Sequence, residues 1–247
     1  MEQYNSKQSN KEGIEYAIVI NKQNIDKYMH PEDGSVRCAY KAIPFMIALN
    51  NAMTEYMHFD DIEYDTCCMI YSYLGECFSL VPFLPLAADC YKCALECASI
   101  STDAIVRGEI EELLYNAVKY RNTIAKDKFF SSPLAVNDKV NNYHVYDDCN
   151  DIKSIAAKQL GKEETDRIVE QAINTACRSL LADSVEHSNT YLDLLPLMHE
   201  ELEKTLESVN KEHGFCHIFW AAKKVYLKSK GITWQSPSQL NPSVKFE

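Results

Sequence analysis

The chain has 247 residues, 46% of them hydrophobic and 25% charged, with 36 acidic against 25 basic side chains and a net charge of −11. That is enough apolar material for one large helical domain or two small ones, and the acidic balance disfavours nucleic acid as a partner. Seven glycines and eight prolines are too few for an all-β fold with many tight turns or for a phosphate-cradling glycine loop.

No stretch approaches the run of apolar residues that a membrane-spanning helix needs, so no membrane partner is expected. Met1 to Gly13 is polar and lacks a signal-peptide core. Ten cysteines without an export signal point to reduced thiols in a cytoplasm.

In chain order, residues 1–34 read as a partly disordered or irregular lead. Within it, Tyr16-Ala17-Ile18-Val19-Ile20 fits either a short strand or the start of a helix, and His30-Pro31-Glu32-Asp33-Gly34 is a turn cluster. Ser35 is placed to cap a helix running to about Met57, with Ala39, Ile43, Met46, Asn50, Met53 and Met57 along one side. The next helix starts at Asp60 or Asp61.

Tyr71, Leu74, Gly75 and Phe78 recur at three and four residues and so share one helical face. Ala87, Tyr91 and Ala94 do the same on a second helix. Pro82 disfavours helix at Val81 and ends the first, while Pro85 suits the first turn of the second. The short connection predicts antiparallel neighbours, with Gly75 opposite Ala87. This pattern resembles one tetratricopeptide (TPR) repeat, a helix–turn–helix unit with the signature W-x2-L-G-x2-Y followed by A-x3-F. The resemblance spans Cys68 to Ser101, with Tyr71 at the family's tryptophan position and Ser99 at its late proline. It implies a concave helical surface that holds a peptide or partner helix. The matching residues are packing positions in that family, so no ligand contact carries over. A shift of one repeat length in either direction places Arg37, Tyr40 and Lys41, or Ile105, Gly108 and Glu109, at the signature positions, so a single copy is read.

Ser101-Thr102-Asp103 starts a further helix with the stripe Val106, Ile110, Leu113, Ala117, Tyr120 and Ile124. Residues 129–150 lose all periodicity and read as an irregular linker or a functional loop, with an extended piece at Tyr143-His144-Val145-Tyr146. Helices resume from Asp151, break at Gly161, and continue over Lys162–Asp183 and Asn189–Asn210, the latter kinked or restarted at Pro196. The last helix runs from Phe215 to about Lys230, with Gly231 as its cap. Residues 232–247 are too apolar for a disordered tail and are expected to pack against the helices as an extended segment, or to dock on a partner.

Chemistry-bearing residues are sparse. Cys90, Cys93 and Cys97 lie along one helix with Cys67 and Cys68 opposite, which fits buried packing, a metal site or redox chemistry. Three thiols on one continuous helix suit a tetrahedral ion poorly. His213-x3-His217 has the spacing of two ligands on a helix, but Gly214 stands where a catalytic glutamate would be and marks a helix boundary.

The expectation is therefore an all-α cytoplasmic protein of about eight helices in stacked antiparallel hairpins with an irregular C-terminal tail. Residues 35–128 and 151–231 form two helical regions or one continuous domain. The expected role is protein–protein interaction or scaffolding through a helical groove that takes a protein or peptide, with no cofactor. Self-assembly is a further possibility. The alternative is an enzyme or a small-ligand or metal-binding protein with a pocket between the helical halves, for which His144, His199, His213 and His217 are the candidate polar groups.

Overall fold

The structure, a computed structural model, describes residues 2–29, 39–101, 105–131, 147–209 and 213–246. Among the described residues it is all-α, with nine helices of seven or more residues, one short helix and no strand. None of these helices is long and apolar enough to cross a membrane. The chain divides into two compact units. Unit 1 comprises residues 1–119 and 149–172, and unit 2 comprises residues 120–148 and 173–247.

Unit 1 begins with α1 (Glu2–Met29), so the lead expected to be irregular is a helix. Ile14, Ile18, Ile25 and Met29 recur at spacings of four and seven residues and are all buried, while Tyr16 and Val19 of the short apolar run face solvent. α2 (Ala39–Tyr56) packs along α1 and runs through Pro44. Tyr28 stacks on Phe45, and Lys11 lies over the Tyr56 ring, so the two helices are antiparallel. Ile43, Met46 and Met53 are buried as the stripe requires. The turn cluster at His30–Gly34 and the Ser35 cap lie outside the described residues.

α3 (Tyr64–Leu80) and α4 (Leu84–Ile100) form the hairpin that the two prolines demand. The Val81 amide closes onto Cys77, and the Phe83 amide donates to the Phe78 carbonyl at 2.9 Å, turning the chain in three residues. The register differs from expectation. A Cβ on Gly75 would lie 2.9 Å from the Tyr91 ring, so Gly75 faces Tyr91 and not Ala87. The Asp65–Ser101 hydrogen bond at the open end has the same register. Only glycine lets the tyrosine ring lie flat on α3 here. The hairpin is tied to the first two helices by Tyr73, whose hydroxyl donates to Asp26 at 2.6 Å, and by the Cys90 thiol on Asn50.

α5 (Arg107–Ser131) starts later than Ser101, and residues 102–104 lie outside the description. Its first half belongs to unit 1 and its second half to unit 2. α6 (Asn150–Leu160) packs on α4, with Lys92 bridging to Asp151 at 2.8 Å. α6 and the first part of α7 (Lys162–Arg178) therefore belong with the N-terminal helices. Phe129 to Ser131 of the expected linker are the last turn of α5, and the chain passes between the units inside α5 after residue 119, after residue 148, and inside α7 after residue 172.

Unit 2 adds a 3-10 turn (Ser184–His187), α8 (Asn189–Thr205), α9 (Phe215–Ser229) and α10 (Pro237–Leu240). α8 continues through Pro196 rather than restarting there. Gly214 (φ 82°) opens α9 and Gly231 (φ 76°) closes it, both in the left-handed region that a Cβ disfavours. The tail packs with buried Trp234 and Asn241, but it is not wholly extended. Ser236 and Gln239 form a capping box that starts α10. Asn241 clamps residue 181 from both sides, accepting from its amide and donating to its carbonyl, each at 2.9 Å.

Candidate functional site

In unit 1, α1, the end of α2 and the turn after it enclose an open cleft of about 780 Å3. Ile14 and Phe59 supply apolar wall, and five carboxylates line it: Glu12, Glu15, Glu55, Asp60 and Asp61. Among the described lining residues Lys11 is the one lysine, and it is already engaged. Its Nζ lies 2.6 Å from the Asp61 carboxylate and 3.8 Å from Glu15, and it donates to the Asp61 carbonyl at 3.0 Å. The hydrogen bond from Lys11 holds Asp61 below its ordinary value, and Asp61 in turn raises Lys11. The other carboxylates leave a strongly negative surface open to solvent, which attracts cationic groups and weakens with salt.

In unit 2 the second half of α5 turns polar side chains inward. Lys126 Nζ donates to the Ala176 carbonyl (2.9 Å), the Ser179 carbonyl (2.7 Å) and the Ser179 hydroxyl (2.5 Å). All three ammonium protons thus go to the C-terminal end of α7, where the helix dipole favours a cation. Burial lowers the Lys126 pKa, and the neighbouring Asp127 charge opposes that shift. Asp127 accepts from the Ala182 amide (3.3 Å) and from His187 Nε2 (3.0 Å). Their side chains are 0% and 2% exposed, and His187 Nδ1 is buried with no hydrogen-bond partner among the described residues. This resembles an acid–base pair, but no substrate can rest on side chains so enclosed, and Lys126 has no free lone pair. Its role is to join α5, α7 and the 3-10 turn.

A second buried knot holds the tail. Glu186 Oε1 accepts from Lys223 Nζ at 2.8 Å and Trp234 Nε1 at 2.5 Å, with the Lys223 ammonium 4.3 Å from the Trp234 ring centroid.

The three candidate histidines within the described residues have different neighbours. His144 lies outside the described residues. His213 is exposed in the turn before Gly214, while His217 is on α9, edge-on to Trp220 and 3.3 Å from the Phe246 carbonyl. His199 packs 6.1 Å from Phe219 on α8. Burial lowers its pKa, and Lys223 adds to that shift. The unfolded chain then takes up a proton more readily than the folded one. Stability from His199 is present above the ordinary histidine value of about 6.5 and is lost as pH falls through the lower folded value. Urea unfolding of the wild type is expected to weaken more than that of H199Q between pH 7 and pH 5. Equal pH slopes would contradict this.

Cys90, Cys93 and Cys97 line α4, with Cys67 hydrogen-bonded to Cys97. Burial pushes Cys93 to about 11 and Cys90 well above its ordinary value. The Cys67 hydrogen bond, then burial, raises Cys97. These shifts favour the protonated thiol over the thiolate. No three His, Cys, Asp or Glu side chains among the described residues come together to hold an ion.

Neither the cleft nor the Asp127–His187 pair was read from the sequence. Asp127 continues the α5 stripe three residues after Ile124, and a carboxylate at a core position is the signal that was available. Its partner lies sixty residues on. No protein-family model matches the chain, and no curated protein or solved structure is significantly similar to it.

Proposed function

We propose that this chain is a protein-interaction module, and that the acidic cleft of unit 1 holds a basic segment of a partner protein. The supporting observation is the open cleft with five carboxylates facing one lysine that is already bridged to Asp61. The resemblance of α3–α4 to a peptide-binding helical repeat agrees with this reading. Lysine or arginine side chains of an extended segment would meet Glu12, Glu55 and Asp60, with Phe59 and Ile14 taking its apolar positions.

The test is charge reversal. E12K/E55K/D60K leaves the Lys11–Asp61 bridge in place. It is expected to weaken binding of a lysine-rich peptide by about tenfold or more in titration calorimetry, a change of about 1.4 kcal/mol. Wild-type binding should fall steeply with added salt. Unchanged affinity in the reversed variant would overturn the proposal.

A further inference from the structure

We infer that the outer face of α9 in unit 2 is a second docking surface, and that its occupant is an acidic amphipathic helix of a partner protein. Ile218 is 46% exposed and Val225 71% exposed, with exposed Ala221 between them. Their spacing of three, four and seven puts them on one stripe of the helix. Lys224 and Lys228, one turn apart and both exposed, border it. Lys224 also reaches Gln239 at 3.1 Å from within unit 2.

The charge that α9 itself carries is one-signed, while Glu200 and Glu201 of α8 flank its far side at Tyr226 and Ser229. α9 (Phe215–Ser229) carries three lysines and no acidic residue, in a chain of net charge −11. Lys223 is turned inward to Glu186, so the outward charge is that of Lys224 and Lys228. Two lysines a turn apart complement carboxylates spaced four residues apart on an opposing helix. The small Ala221 between Ile218 and Val225 lets an opposing helix approach α9 closely.

Other occupants fit less well. Two copies meeting through this face would bring the lysines of α9 against each other. A helix that lies in a bilayer presents large apolar groups to it. The aromatics of α9 instead pack within unit 2, with Trp220 edge-on to Phe246 at 5.2 Å and Phe219 against His199. This surface is separate from the unit 1 cleft and selects the opposite charge, so either proposal can fail without the other.

The experiment is a selection. A library of displayed helical peptides with randomised surface positions is panned on the full chain and counter-selected against I218D/V225D, whose exposed substitutions leave the packed faces intact. Unfolding curves confirm that the variant folds. Recovered peptides are expected to combine an apolar stripe with Asp or Glu four residues apart. K224E/K228E should lose at least tenfold in affinity for them, and E12K/E55K/D60K should bind them as the wild type does. The inference is overturned if no peptide survives counter-selection or if the survivors are not acidic. It is also overturned if I218D/V225D abolishes concentration-dependent self-association in sedimentation, or abolishes binding to phosphatidylserine vesicles, while leaving the acidic peptides bound.

Discussion

Replacing Trp234 by alanine is expected to lower the stability of unit 2 by about 3–5 kcal/mol, the usual cost of emptying a buried aromatic site. Trp234 is among the largest fully buried side chains. Its loss removes more than apolar contact. The indole N–H is one of two donors on Glu186 Oε1, and the ring is the surface over which the Lys223 ammonium lies. Alanine therefore leaves a largely buried carboxylate one donor short and a buried lysine facing a void. The tail would then be held chiefly by Asn241 on residue 181 and by the Gln235 amide on Asp183. W234F separates the two contributions. It retains most of the ring and loses only the N–H, and it is expected to cost about 1–3 kcal/mol. Urea unfolding followed by circular dichroism gives both values. A loss below about 1 kcal/mol for W234A would contradict the packing described.

The second large effect is at Asp127. D127A removes the acceptor for the Ala182 amide and for His187 Nε2. The buried His187 ring and the half-buried Ala182 amide lose their partner, so a total loss of about 2–5 kcal/mol is expected. His187 would then have neither ring nitrogen bonded, because Nδ1 already lacks a partner among the described residues. Lys126 would lose the neighbouring charge that offsets its burial, and its pKa would fall further. D127N is expected to be milder, since its amide oxygen can still accept and its NH2 can donate to the other tautomer of His187. D127A and D127N of equal stability would refute a hydrogen-bonding role. Loss of all stability difference in the H187A background would show that the effect runs through the pair.

The acidic cleft was not legible because three separate segments build it, and none carries an unusual motif. Glu12, Glu55 and Asp60 each read as ordinary surface charge on their own helix or turn. They become one electrostatic feature only when α1 lies antiparallel to α2. The same holds for Asp127 and His187. The helix carrying one and the turn carrying the other have no local reason to meet.

The sequence by itself determined the elements whose cause is local. Pro82 and Pro85 set the end of α3 and the start of α4. Gly214 and Gly231 bounded α9, and the periodic apolar stripes made the described fold all-α. These follow from backbone sterics and side-chain spacing within a turn or two of helix. Tertiary structure alone decided that Gly75 faces Tyr91 and that polar residues 2–13 extend a helix anchored by Ile14, Ile18, Ile25 and Met29. It also decided that the chain changes unit inside α5 and α7 as well as after residue 148, and that Lys126, Asp127 and His187 are buried together. Burial depends on which faces meet over long separations in the chain, and a buried charge is tolerated only where distant partners supply its hydrogen bonds.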